Sequence, residues 1–158
     1  MSHAAYHHGW WVLERPVTPI GAQMNVGYAL AVAIIDKAAM VKQFAPQRID
    51  SDDVWALIPK ITAHHEPNFD RAPATGHTRV VVVLQDGTTL EHLVEAPRTV
   101  GRPLSNVEVL EKYNTLTTGP VDRERQRAIA ETVLNLERVP NVKRLSSLMK
   151  GEVKTPFD

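Results

Sequence analysis

The longest apolar run in the chain is GAQMNVGYALAVAIID, Gly21 to Asp36, interrupted only by Gln23, Asn25 and Asp36. At about 16 residues it is too short and too polar to span a bilayer, so the pattern predicts a helix buried inside a soluble protein. Thr18 is placed to cap it, and Pro19 suits a first turn, where a missing N–H costs nothing. Alanine, leucine and methionine favour the helix, while its valines and isoleucines are tolerated when both sides are packed. At roughly 100° per residue, Asn25, Tyr28, Val32 and Asp36 fall within one narrow arc, and Met24, Leu30, Ile34 and Ile35 point elsewhere. The predicted helix is therefore dry except for one polar stripe.

Other segments show other rhythms. Tyr6 to Glu14, with two tryptophans and Val12–Leu13, reads as an extended strand ended by Pro16 and Pro19. Lys37 to Ile49 reads as irregular. Asp50 is then expected to cap SDDVWALI, a short helix with an acidic first turn that ends near Pro59. Ile61 to His65 is a brief strand candidate. HTRVVVVLQ-DG-TTLEHLVEA predicts a hairpin turning at Asp86-Gly87. Val80 to Leu84 is apolar on both faces and is expected in the centre of its sheet, with Thr88 to Glu95 at the edge.

From Ser105 the period becomes helical. SNVEVLEKYNTL groups Val109, Leu110 and Tyr113 and stops at Gly119-Pro120. Val121 to Arg138 reads as one long charged helix with Ile129, Val133, Leu136 and Val139 as its stripe. Val142, Leu145 and Leu148 mark a last short helix before a loosely held tail, GEVKTPFD. The fold class is α+β: a mainly antiparallel sheet with a DG hairpin and a buried central helix, followed by C-terminal helices.

Composition narrows the function. The 158 residues suit one domain, with 18 basic and 18 acidic side chains and a pI near 7.1. That balance carries no footprint of a nucleic-acid or anionic-membrane binder. The chain has no cysteine, which excludes disulfides, a thiol nucleophile and thiolate metal sites held by this chain alone. The first residues, MSHAAYHHGWW, lack the basic and apolar regions of a signal peptide, so a cytoplasmic location is the expectation.

Few residues carry chemistry. His7-His8 and His64-His65 are adjacent pairs whose rings diverge on a strand, with no third ligand at useful spacing, so no metal site is expected. A tyrosine such as Tyr28 needs a partner for its hydroxyl. It either bonds a neighbouring backbone carbonyl or faces a cavity as an acid or oxyanion donor. Pro97 to Pro103, with Arg98 and Arg102, is a loop that either clamps a carboxylate or is simply solvated.

The series AQMNxxYALAVAIID, short acid-capped helix, strand, DG hairpin, Gly101-Arg102-Pro103-Leu104-Ser105 and Val109-Leu110-Glu111-Lys112-Tyr113 resembles the C-terminal portion of the MmgE/PrpD family. That family includes 2-methylcitrate dehydratases, cis-aconitate decarboxylases and an iminodisuccinate epimerase. Arg15 to Asp36 most resembles the decarboxylase-like branch, and the resemblance runs from Arg15 to about Met149. It implies an α+β lid over residues 1–100 and, over 101–158, helices that return to a helical domain supplied elsewhere.

The resemblance also implies a cofactor-independent lyase acting on small di- or tricarboxylates. Tyr28 would be the catalytic residue on the lid helix, with Asn25, Arg98 and Arg102 as substrate-binding candidates. The family's N-terminal helical half, with its histidines, aspartate and lysine, has no counterpart here. The expectation is thus that the chain is either a fragment, or a small subunit whose partner, a large subunit or N-terminal half on another chain, carries the missing part in a homo- or hetero-oligomer. A non-catalytic α+β binding or interaction domain that keeps the fold is the alternative.

Overall fold

The computed structural model describes residues 1–73, 76–95 and 103–157. The chain divides into two compact units, one of Met1–Ala39 and Gln43–Pro103, the other of Met40–Lys42 and Leu104–Asp158. The architecture is α+β, with a two-stranded antiparallel sheet and helices that include the C-terminal ones. Among the described residues no helix is long and apolar enough to cross a membrane.

The first unit opens with α1 (His3–Gly9), where a strand was predicted. Ser2 accepts from the Ala5 amide and the run HAAY favours a helix, while among the described residues no strand pairs with Trp10–Glu14. The central apolar run is two helices rather than one, α2 (Pro19–Gln23) and α3 (Val26–Asp36). Thr18 and Pro19 start α2 as expected, but Asn25 Oδ1 takes the Tyr28 amide at 3.0 Å and restarts the helix. A side chain that bonds its own backbone three residues on competes with helix continuation.

Lys37 ends α3 in the left-handed region, at φ 58°. A 3₁₀ turn, Val41–Phe44, and α4 (Pro46–Ile49) follow where irregular chain was expected. The next helix, α5 (Asp52–Leu57), starts after Ser51, one residue later than predicted. Asp50 is drawn away from capping because Arg15 Nε donates to its carboxylate at 2.6 Å. Ile61–His65 forms no strand. Ala22, Tyr28, Ala31, Val32, Phe44, Ile49 and Val54 make the core, flanked by Leu13, Val17, Leu57, Ile58 and Ile61.

Strands β1 (Thr78–Val83) and β2 (Thr89–Val94) pair antiparallel, from Thr78 opposite Val94 to Val83 opposite Thr89. The return is a three-residue loop, Gln85–Gly87. Gly87 donates to Leu84 O at 3.0 Å, Leu84 donates to Thr88 O at 2.8 Å, and Gly87 sits at φ 86°. Among the described non-glycine residues only Lys37 has positive φ, so Asp86 does not adopt the conformation a two-residue turn requires. Instead Asp86 Oδ1 accepts the Thr88 amide at 2.8 Å. Nor is β1 central: among the described residues its sheet has two strands, and Val81 and Val83 are 52% and 69% exposed.

The second unit holds α6 (Asn106–Thr117), α7 (Arg123–Leu134) and α8 (Lys143–Met149). A reciprocal Ser105–Glu108 capping box starts α6. Tyr113 Oη donates to Gln126 O at 3.0 Å and Gln126 Nε2 donates to Thr117 Oγ1 at 2.6 Å, which ties α6 to α7. Asn135 ends α7 before the predicted Arg138 by donating Nδ2 to Glu131 O at 2.9 Å. The tail is tied back by Lys154 N to Pro120 O, 2.9 Å, and Arg125 Nη2 to Glu152 O, 2.7 Å.

Candidate functional site

The predicted polar stripe on α3 exists, and each of its groups is engaged. Asn25 is 1% exposed; its Oδ1 caps α3 and its Nδ2 donates to Trp11 O at 2.9 Å. Tyr28 is fully buried, and its hydroxyl donates to the main-chain carbonyl of Gln43 at 2.5 Å. Its ring lies against Phe44, with centroids 5.5 Å apart. Burial pushes the Tyr28 hydroxyl up to about 12 from its ordinary 10.0. At neutral pH such a group is a proton or hydrogen-bond donor and not a base.

Beside it stands an ionic cluster that the sequence reading missed. Arg48 grips Asp36 with two nitrogens, Nη2 to Oδ1 at 2.6 Å and Nε to Oδ2 at 2.9 Å. Its Nη1 reaches Ser51 Oγ and Asp53 Oδ1, both at 2.7 Å. Gln43 Nε2 adds a longer contact to Asp36 Oδ2 at 3.3 Å. The Arg48 fork holds the Asp36 and Asp53 carboxyls below the usual carboxylate value, and both carboxylates hold Arg48 above its own. The Arg48 and Asp36 side chains are only 20% and 21% exposed, so water screens this pair weakly.

A second arginine, Arg15, reaches Asp50 and Asp52 at 2.6 and 2.7 Å, also donates to the Asp50 carbonyl, and lies 5.8 Å from the centre of Trp55. Arg15 joins segments 35 and 37 residues apart, whereas Arg48 bridges partners on both sides of it, 12 and 5 residues away.

The structure therefore brings Asn25 and Tyr28 together on α3. Arg98 and Arg102, the predicted carboxylate clamps, lie outside the described residues. Of the histidines, His7 and His8 are exposed on α1, and His65 Nε2 meets Asp70 Oδ2 at 2.6 Å. Among the described residues no three histidine or carboxylate side chains are grouped so as to hold a metal ion. The arrangement at Tyr28 offers one buried, protonated hydroxyl beside a fixed cation, with that hydroxyl committed to a backbone acceptor.

Comparison with known proteins sets this geometry in context. A family model described as the MmgE/PrpD C-terminal domain matches residues 1–138. The cis-aconitate decarboxylase-like protein oryM of Aspergillus oryzae is 37% identical over 93% of this chain and 30% of its own length. A cis-aconitate decarboxylase of Aspergillus terreus is 34% identical over 96% of this chain and 31% of its own. A cis-aconitate decarboxylase of Mus musculus is 23% identical over 82% of this chain and 27% of its own. The chain thus spans about a third or less of the length of these relatives.

Proposed function

Because the chain belongs to the MmgE/PrpD family and matches that family's C-terminal domain, we propose that it is the C-terminal, lid-bearing part of a cofactor-independent lyase acting on small di- or tricarboxylates. The observation that carries this reading is the likeness, across nearly the whole chain, to proteins named cis-aconitate decarboxylase or cis-aconitate decarboxylase-like. Decarboxylation is the favoured reaction, and dehydration of a 2-methylcitrate-type substrate is the next.

Loss of carbon dioxide leaves an electron pair on the carbon that carried it, and a proton must then be delivered to the carbon skeleton. Tyr28, protonated at neutral pH, is suited to donate to that developing charge. Asn25, Arg98 and Arg102 are the substrate-side candidates that accompany it. These groups are too few to hold and cleave a polycarboxylate. The remaining base and clamps come from the family's N-terminal helical half, either joined to this sequence in one longer chain or carried by a large subunit in a homo- or hetero-oligomer.

One observation favours a second reading, a non-catalytic domain that keeps the fold. Asn25 and Tyr28 are both fully used in holding the chain's own backbone. Turnover of cis-aconitate and 2-methylcitrate separates the readings. The chain combined with the helical half of a relative is expected to turn over one of them and to lose at least about 10²-fold on Tyr28→Phe. Full activity of that variant sinks the catalytic reading. Turnover by the isolated chain above a Tyr28→Phe control sinks the need for a second chain.

A further inference from the structure

The hydroxyl that the reading above assigns to substrate is covered by a short piece of backbone. The cover is Gln43–Phe44: the Gln43 carbonyl accepts the hydroxyl and the Phe44 ring lies on the tyrosine ring. This piece sits between two differently held ends. Before it, α3 finishes at Lys37 in the left-handed conformation, with Lys37 Nζ donating to Ile34 O at 2.7 Å, and the small residues Ala38 and Ala39 follow. After it, Pro46 starts α4, whose Arg48 returns to grip Asp36 on the last turn of α3. The Asp36–Arg48 fork thus closes the loop whose middle caps Tyr28.

We infer that Gln43–Phe44 is a removable cap on the Tyr28 hydroxyl, latched by the Asp36–Arg48 pair, and that release of the latch frees the hydroxyl for a carboxylate ligand. The inference rests on the reading of Tyr28 as the substrate-facing donor, and it adds the movement which that reading requires. A hydroxyl donates one hydrogen bond at a time, so Tyr28 cannot serve a ligand while it serves Gln43. Exchange of one acceptor for another keeps the buried hydroxyl paired, whereas opening without a ligand leaves the Gln43 carbonyl to water. The loop has a left-handed residue at one end and a proline at the other, and its Phe44 is a member of the core. Opening it lifts Phe44 off the rest of the core, a sub-global event whose free energy lies below that of complete unfolding.

The test reads solvent access to Tyr28 in the isolated chain and needs no turnover. Tetranitromethane nitrates tyrosine rings that reach solvent as phenolate, and peptide mass spectrometry assigns the rate to Tyr6, Tyr28 or Tyr113. In the unaltered chain Tyr28 is expected to be the slowest of the three. Arg48→Ala is expected to raise its rate by about tenfold or more while far-UV circular dichroism is unchanged. Arg48→Lys, which keeps the charge and loses the fork, is expected to fall between, and serves if the alanine variant does not fold. Val54→Ala weakens the same core without touching the latch.

If Val54→Ala exposes Tyr28 as much as Arg48→Ala does at matched melting temperature, access comes by global unfolding and the cap is overturned. An unchanged Tyr28 rate in both Arg48 variants overturns it as well. Either result leaves the turnover test of Tyr28→Phe standing, so the cap and the catalytic reading fail separately.

Discussion

Tyr28 and Gln43 are joined by a hydrogen bond from a fully buried hydroxyl to a main-chain carbonyl, 2.5 Å long. Tyr28→Phe keeps the ring on Phe44 but strands that carbonyl, and it is expected to cost about 1–3 kcal/mol of stability. The loss has a pH signature. The folded-state pKa of Tyr28 is raised from 10.0 to about 12, so its contribution is complete below pH 10 and disappears as pH rises through about 12. Denaturant unfolding of the parent chain and Tyr28→Phe across pH 8 to 12 should converge at the alkaline end. A constant gap would show that the hydroxyl is not buried.

Asp36 gives the opposite dependence. Its folded-state pKa lies below the ordinary 3.8, chiefly because Arg48 hydrogen-bonds the charged form. The stability it contributes is therefore present above about pH 3.8 and lost as pH falls through the folded value. Asp36→Asn should lower stability at neutral pH and flatten the acid limb of the stability curve. Equal acid sensitivity in the parent chain and the variant would mean that other carboxylates dominate.

Gly151 lies against Arg125 so closely that an added Cβ would sit 1.6 Å from Nη1 and 2.7 Å from Cζ. Gly151→Ala must push the guanidinium aside and break its bond to the Glu152 carbonyl. The tail should then be cut by trypsin at Lys150 or Lys154 several-fold faster, while α6 and α7 keep their helical signal. An unchanged cleavage rate would show that the tail is not held there.

Several apolar side chains of the second unit stand in water: Val107, Val109, Val133 and Leu136 are 64%, 49%, 51% and 46% exposed. Exposed apolar groups of this kind favour association with a partner or with a second copy. Light scattering should show mass rising with concentration, and Val133→Lys with Leu136→Lys should restore the monomer. A monomer at every concentration, with no binding to a relative's helical half, would count against the proposed assembly.

What the sequence revealed and what it hid follow from the range of the interactions. The stripe Asn25, Tyr28, Val32 and Asp36 was legible because helical periodicity is local. The break at Asn25 was missed although asparagine favours helix starts over helix interiors, because the apolar run continues on both sides of it. The strand expected over Tyr6–Glu14 gives way to α1, which Ser2 caps, and among the described residues no strand pairs with the rest of it. Val80–Leu84 looked central because a β-branched run is compatible with burial on both faces, yet β1 has one neighbour. Arg48 was invisible for the same reason: its partners Asp36 and Asp53 lie on either side of it, and only folding brings both to one guanidinium.

The ties around α3 also set an order of assembly. Asn25 to Trp11, Tyr28 to Gln43 and Asp36 to Arg48 span 14, 15 and 12 residues, whereas His3 to Asp70 and Met1 to His64 span 67 and 63. Closing a short loop costs less chain entropy than closing a long one. The stretch from Trp11 to Ile58 can therefore gather itself before the N-terminal helix meets the Pro67–Asp70 turn.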